Sequence, residues 1–301
     1  MKPVKHVLAG ILLATLLSPH AIGQVAPAKR TSNVKKKKAD EESSYLRLIR
    51  DKHEDPIEMQ TSVVSFTYKE EGKPSVVVDL IGAVHVADKG YFRKLNRLFT
   101  QYDSLLYELV APEENNVPTG GTSQHPVGQM QQGMKSMLDL AYQLEEIDYT
   151  KKNFVHADMS PEEFSRVMGQ RGESFPQMLM KMMGAALVMQ KADGRGSDAD
   201  ILFAFFAKDR SKRLKQVMST QFGNLDSTMG ILEGEDGSTI IGQRNRKALE
   251  VLRRELKNGK KRIGIFYGAG HLPDMEKRLA EGFGLYPNKK SIKWLTAWDM
   301  R

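Results

Sequence analysis

Two histidines in this chain stand in matching surroundings. His85 ends the stretch Gly82-Ala83-Val84-His85, and His271 ends Gly268-Ala269-Gly270-His271. Each stretch closes an apolar run, residues 76–81 in the first case and 263–267 in the second. Both runs have strand length, and both are followed by a turn and then helix-like sequence. That places two imidazoles at the carboxyl ends of two strands, where open α/β sheets put their chemistry. A small residue ahead of each histidine lets a ligand or another backbone come close. The repeated context points to two halves contributing to one site.

A carboxylate completes the candidate set. Glu108 is embedded in the apolar run Leu105-Leu106-Tyr107-Glu108-Leu109-Val110. A buried carboxylate there needs a cation, a hydrogen-bonded partner or a raised pKa. Spacing alone leaves open the alternative that Glu108 faces solvent, opposite Tyr107 and Leu109. Imidazole plus carboxylate converging from different elements suits Zn, Mn or Fe. Arg244 and Asn245 open the helix that precedes the second histidine strand. Arg244 could bind a carboxylate or stabilise an oxyanion, and Asn245 could orient a ligand. Their spacing by itself favours an exposed basic helix face, since Arg246, Lys247, Arg253 and Arg254 lie around them. His156 and Asp158 form a reserve ligand pair, with helix capping before Pro161 the preferred role for Asp158. His53 and His125 sit among polar residues and carry no signal. No Walker-type phosphate loop, dinucleotide fingerprint or Gly-x-Ser-x-Gly elbow is present.

The elements that must position these groups follow from periodicity. Residues 62–68 alternate and read as a strand, 70–74 as a turn and 75–81 as a more fully buried strand, so a hairpin is expected. Asp88 can cap a helix in which Phe92, Leu95, Phe99 and Tyr102 fall at helical spacing. Residues 104–110 form the glutamate strand. A long loop rich in Pro, Gly, Asn and Thr runs from 111 to about 126, and the chain then reads as mostly helical to about 235. Ten of the 16 methionines lie between Met130 and Met189. An adaptable helical core is the preferred reading of that enrichment, and a pliable groove for an apolar ligand the alternative. Residues 241–256 form a helix ended by Lys257-Asn258-Gly259. Residues 262–267 form the second histidine strand, Pro273 opens another helix, and 291–298 form a closing strand. The expected fold is α/β: a central mixed β-sheet flanked by helices, built from two related halves, with a Met-rich helical insertion at about 118–235.

Composition bounds the rest. Lys2 and Lys5 precede an apolar stretch at 7–17, and Pro19, Ala21 and Gly23 fit cleavage just before Gln24. The stretch is short for a membrane span of about 20 residues. Residues 1–23 therefore read as an export signal, and the protein as periplasmic or secreted. The net charge of +8 is confined to the first 39 residues, which hold eight of 45 Lys and Arg and no acid. The remainder carries 37 basic and 37 acidic residues, an even balance that argues against nucleic-acid binding. Residues 24–44 read as a disordered basic linker, a solvated spacer in preference to a tether for an anionic surface. A single domain is expected over 45–301. The absence of cysteine excludes disulfides, thiolate metal sites and cysteine nucleophiles.

Gly82-x-x-His85, the acid in Tyr107-Glu108-Leu109-Val110, the Arg244-Asn245 pair and Gly268-Ala269-Gly270-His271-Leu272 occur in that order. The ordered set resembles the TraB/PrgY/GumN family, which includes the Tiki proteins, over about residues 60–113 and 240–285. The resemblance implies a sheet with helices on both sides and a metal between two related halves, as in the erythromycin esterase and ChaN-like proteins. It implies metal-dependent proteolysis of the Tiki kind, with His85 and His271 as ligands, Glu108 as ligand or base, and manganese or cobalt as the ion. With the reading of the residues, the expected cofactor is a divalent manganese, cobalt or zinc ion. The His-Glu-x-x-His helix of other metalloproteases is absent. The leading expectation is an exported hydrolase acting on peptide or protein substrates. The alternative is a non-catalytic peptide-, haem- or metal-binding protein using the same residues.

Overall fold

The structure, a computed structural model, describes residues 45–68, 75–110, 138–174, 207–222 and 239–301, together with Gln177 and Ala204. The expected export signal, basic linker and turn at 70–74, and most of the Met-rich segment, lie outside the described residues.

Runs of β-branched and aromatic residues build one eight-stranded mixed sheet. Its strands are β1 (Leu46–Arg50), β2 (Pro56–Tyr68), β3 (Val77–Ala83), β5 (Ser104–Tyr107), β7 (Phe154–His156), β8 (Arg262–Gly268), β9 (Leu285–Pro287) and β10 (Lys293–Asp299). Two short strands, β4 (Val86–Ala87) and β6 (Ala141–Tyr142), pair separately. The main order is β1-β2-β3-β8-β5-β7, and β9 and β10 also pair with β2. β2 and β3 are antiparallel with Val63 opposite Ile81, which is the expected hairpin pairing. β3, β8, β5 and β7 are mutually parallel. They have the apolar, two-face-buried character that parallel strands require: Val78, Leu80, Ile81, Leu105, Leu106, Ile263, Ile265 and Phe266 are all buried.

Helices flank this sheet. The first, α1 (Lys89–Phe99), buries Tyr91, Phe92, Leu95 and Phe99 on one face and packs on β10. Tyr102 is buried as expected, but just beyond the helix end. Asp88 occupies the N-cap position without a side-chain cap bond; its carboxylate instead takes Lys215 Nζ at 2.8 Å and the Asp299 N–H at 2.6 Å. A single helical turn, α2 (Gln143–Glu146), leads toward β7. Then comes α3 (Pro161–Gln170), followed by α4 (Arg210–Phe222), α5 (Arg244–Lys257) and α6 (Leu272–Phe283). α5 begins after a π-helical turn at Thr239–Gln243, so the expected 241–256 helix is α-helical only from Arg244. It ends as the sequence implies, with Gly259 in the left-handed region at φ 81°. Pro273 stands in the first turn of α6.

Four local readings are corrected. The glutamate strand stops at Tyr107, one residue before Glu108, rather than running to Val110. β10 runs over Lys293–Asp299 rather than 291–298, and a register shift between Thr296 and Trp298 leaves Ala297 and Trp298 both buried. β7 falls inside the segment read as helical, yet it is the edge strand of the main sheet. The first strand, β1, was not foreseen; it pairs antiparallel with β2, which begins at Pro56 rather than Ser62.

Candidate functional site

Each of the four parallel strands ends beside one residue able to do chemistry. His85 follows the end of β3 by two residues, His271 follows β8 by three, Glu108 follows β5 by one and Asp158 follows β7 by two. Across the sheet they therefore run His85, His271, Glu108, Asp158, on strands spaced roughly 4.8 Å apart. This is the carboxyl edge at which open α/β sheets gather their ligands.

Glu108 is held at the centre. Its backbone N–H still bonds to the Phe266 carbonyl, which aims the side chain along β8. Its Oε2 accepts the Gly268 N–H at 2.6 Å, and its Oε1 accepts from Arg244 Nη2 at 2.7 Å. Gly268 leaves room for this carboxylate. A Cβ there would lie 3.2 Å from Glu108 Oε2, so what the glycine admits is the carboxylate. Gly82 is small for a different reason, since its Cβ would press on the Tyr45 carbonyl at 3.2 Å. Burial opposes ionisation of Glu108 most strongly, but Arg244, then His271, His85 and the Gly268 N–H, outweigh it and hold the carboxyl well below its ordinary value.

Arg244 is not on an exposed face. Its side chain is 11% exposed and bridges two carboxylates. Nε donates to Asp158 Oδ1 at 2.9 Å, and Nη2 donates to Asp158 Oδ2 at 2.5 Å and to Glu108 Oε1. Burial works against this guanidinium, yet Asp158 and Glu108 together raise its pKa well above the ordinary value. Nη1 makes no hydrogen bond to a described residue. Asp158 does not cap α3 as expected. That role falls to Ser160, whose Oγ accepts the Glu163 N–H while Glu163 Oε2 accepts the Ser160 N–H, a reciprocal capping box. Asp158 is fully buried, and besides Arg244 it accepts, among the described residues, only the Met159 N–H, at 2.8 Å. His156 is not beside it as a ligand; its Nε2 meets the Leu109 carbonyl at 2.6 Å and ties β7 to the segment after Glu108.

Asn245 is fully buried and sets the tautomer of His271. Its Nδ2 donates to the His271 carbonyl at 3.0 Å and to Asp274 Oδ2 at 2.8 Å, so its Oδ1 is the acceptor for His271 Nδ1 at 2.8 Å. His271 thus carries its proton on Nδ1. Burial, only partly offset by Glu108, brings its pKa down to about 4, so the ring is neutral at neutral pH. Its Nε2 lone pair then faces Glu108 Oε1 at 3.6 Å with no hydrogen between them. An imine nitrogen and a carboxylate oxygen with lone pairs converging is the donor chemistry of a divalent cation of the Zn, Mn or Co kind. A hydrogen-bond acceptor that holds the other ring nitrogen, here the buried Asn245 amide oxygen, is also usual for such a ligand. The pair fits as two ligands of an ion.

His85 is placed differently. Its ring is exposed, although it is near enough to act electrostatically on both Glu108 and His271. Its backbone carbonyl accepts the Gln143 N–H at 2.9 Å, and the β4–β6 pair pins the next two residues. Among the described residues no three His, Cys, Asp or Glu side chains form a group that could hold a metal ion.

One residue at this site escaped the reading of the sequence, Tyr267: its hydroxyl donates to the Ala157 carbonyl at 2.6 Å and its ring meets His271 edge-on, centroids 5.3 Å apart. Asp158, by sequence a reserve ligand or a helix cap, is instead the partner of Arg244.

Comparison of the chain with protein-family models, curated proteins and solved structures returned no match.

Proposed function

We propose that this chain is an exported, metal-dependent hydrolase of the TraB/PrgY/GumN type that cleaves peptides or unfolded protein segments. The observation that supports this reading best is the neutral imidazole of His271, locked by Asn245, with its lone pair facing the ionised Glu108. In this reading His271 and Glu108 hold the ion and His85 is the third ligand. A bound manganese, cobalt or zinc ion supplies Lewis acidity, polarising a carbonyl and bringing the pKa of water down toward about 7. A carboxyl held as low as that of Glu108 is a weak base, so Glu108 serves as a ligand rather than as the proton acceptor. Arg244 offers Nη1 to the developing oxyanion, since its Nε and Nη2 hydrogens are committed to the two carboxylates. Asn245 keeps His271 in the tautomer that can bind an ion.

The test is direct. The protein, stripped with chelator and reloaded separately with manganese, cobalt or zinc, is given a peptide library and the products are read by mass spectrometry. Cleavage that needs an ion and is lost in His85→Ala and in His271→Ala is expected. No cleavage with any ion, or full cleavage by either variant, rejects the hydrolase. Ion-dependent retention of peptides without products instead identifies a binding protein.

A further inference from the structure

Asp158, Arg244 and Glu108 form a row of two carboxylates around one guanidinium, so the row carries one net negative charge. The guanidinium lies closer to Asp158 in chemical terms. It makes two hydrogen bonds there, at 2.9 and 2.5 Å, against one to Glu108 at 2.7 Å. A two-pronged contact of this kind fixes the plane of the fork, so that only Nη2 reaches Glu108. Asp158 itself is fully buried and makes no hydrogen bond to Glu108 or His271. Its place in the site is behind the arginine.

We infer that Asp158 is a positioning residue that neutralises Arg244, so that Glu108 keeps a full negative charge for a divalent cation. This rests on the cation-binding reading of His271 and Glu108 given above. A buried guanidinium must be compensated. With Glu108 as its sole partner the pair would be neutral, and a doubly charged ion arriving at Glu108 would gain little attraction while meeting the repulsion of the arginine. With Asp158 holding the arginine from the other side, the row keeps the negative charge that attracts the ion. The strand order delivers this arrangement, because β7 lies beside β5 and carries Asp158 to the far side of Glu108 from His271.

The inference makes a prediction about sign that a packing defect does not share. Manganese affinity is measured by titration calorimetry for wild type, Asp158→Asn, Arg244→Gln and the double variant, with circular dichroism melting of each as a check on folding. Asp158→Asn removes the negative charge behind the arginine and should weaken binding by about tenfold or more. Arg244→Gln leaves two negative charges and should tighten binding by a similar factor. The double variant restores the single net charge and should return near the wild-type affinity. If Asp158→Asn does not fold, the other two variants carry the test. Weaker binding by Arg244→Gln, or a double variant that stays weak, overturns the inference while leaving the cation site standing. Failure of wild type to bind manganese, cobalt or zinc overturns both.

Discussion

Asn245 holds the Nδ1 side of the His271 ring. The amide donates to the His271 carbonyl and to Asp274, and Arg278 Nε holds Asp274 in turn at 2.5 Å. This fixes the amide's orientation, and through it the side of the imidazole that bears the proton. Asn245→Ala should free the ring to exchange tautomers and lower manganese affinity by roughly 10–100-fold, the usual cost of losing an outer-shell partner. The measurement is the dissociation constant, with the melting curve as control. Unchanged affinity would mean that Nδ1 needs no partner. Neither Arg244 nor Asn245 was legible from local composition, because four basic residues nearby make the helix start look solvated. Helix phase held the missing signal. Arg244 shares a face with Ala248, Val251 and Glu255, and Asn245 with Ala248, Leu249 and Leu252, all buried.

The helix that follows Asp158 shows how local chemistry sets the end of an element. α3 starts with Ser160, Pro161 and Glu163, a capping box with proline in the first turn, and Lys247 of α5 donates to Glu163 at 3.0 Å. Ser160→Ala should cost about 1 kcal/mol of stability by urea unfolding. The pH dependence follows from Glu163. Partial burial raises its pKa, but Lys247 and the Ser160 N–H outweigh this and leave it below the ordinary 4.5. Since the folded value is the lower one, the stabilisation is complete above about 4.5 and is lost as pH falls below it. Glu163→Gln should flatten that part of the stability curve. A curve identical to wild type would show that the bond to Lys247 contributes nothing. The capping residues are readable in sequence, but Asp158 two positions earlier competes for the same role. Only the tertiary partner Arg244, 86 positions away, decides between them.

The α/β architecture was legible because its strong strands are long and apolar and its glycine stops are placed at their ends. β3 pairs parallel with β8, which sets Ala83 beside Gly268. What could not be read was lateral order. β7 has three residues and no periodicity of its own, so nothing in the chain announces that it joins the sheet beyond β5. That one placement turns Asp158 from a helix cap into a buried counter-ion. No helix among the described residues is long and apolar enough to cross a membrane. Export through the N-terminal segment remains our proposal for where the chain works.

One divalent ion shared by His85, Glu108 and His271 is the centre of our proposal. Elemental analysis of purified wild type beside the His85→Ala/His271→Ala double variant tests it most directly. One manganese, cobalt or zinc ion per wild-type chain, and none in the double variant, is the expected result. A wild-type chain that neither carries nor takes up such an ion, or a double variant that holds it equally well, would contradict the account.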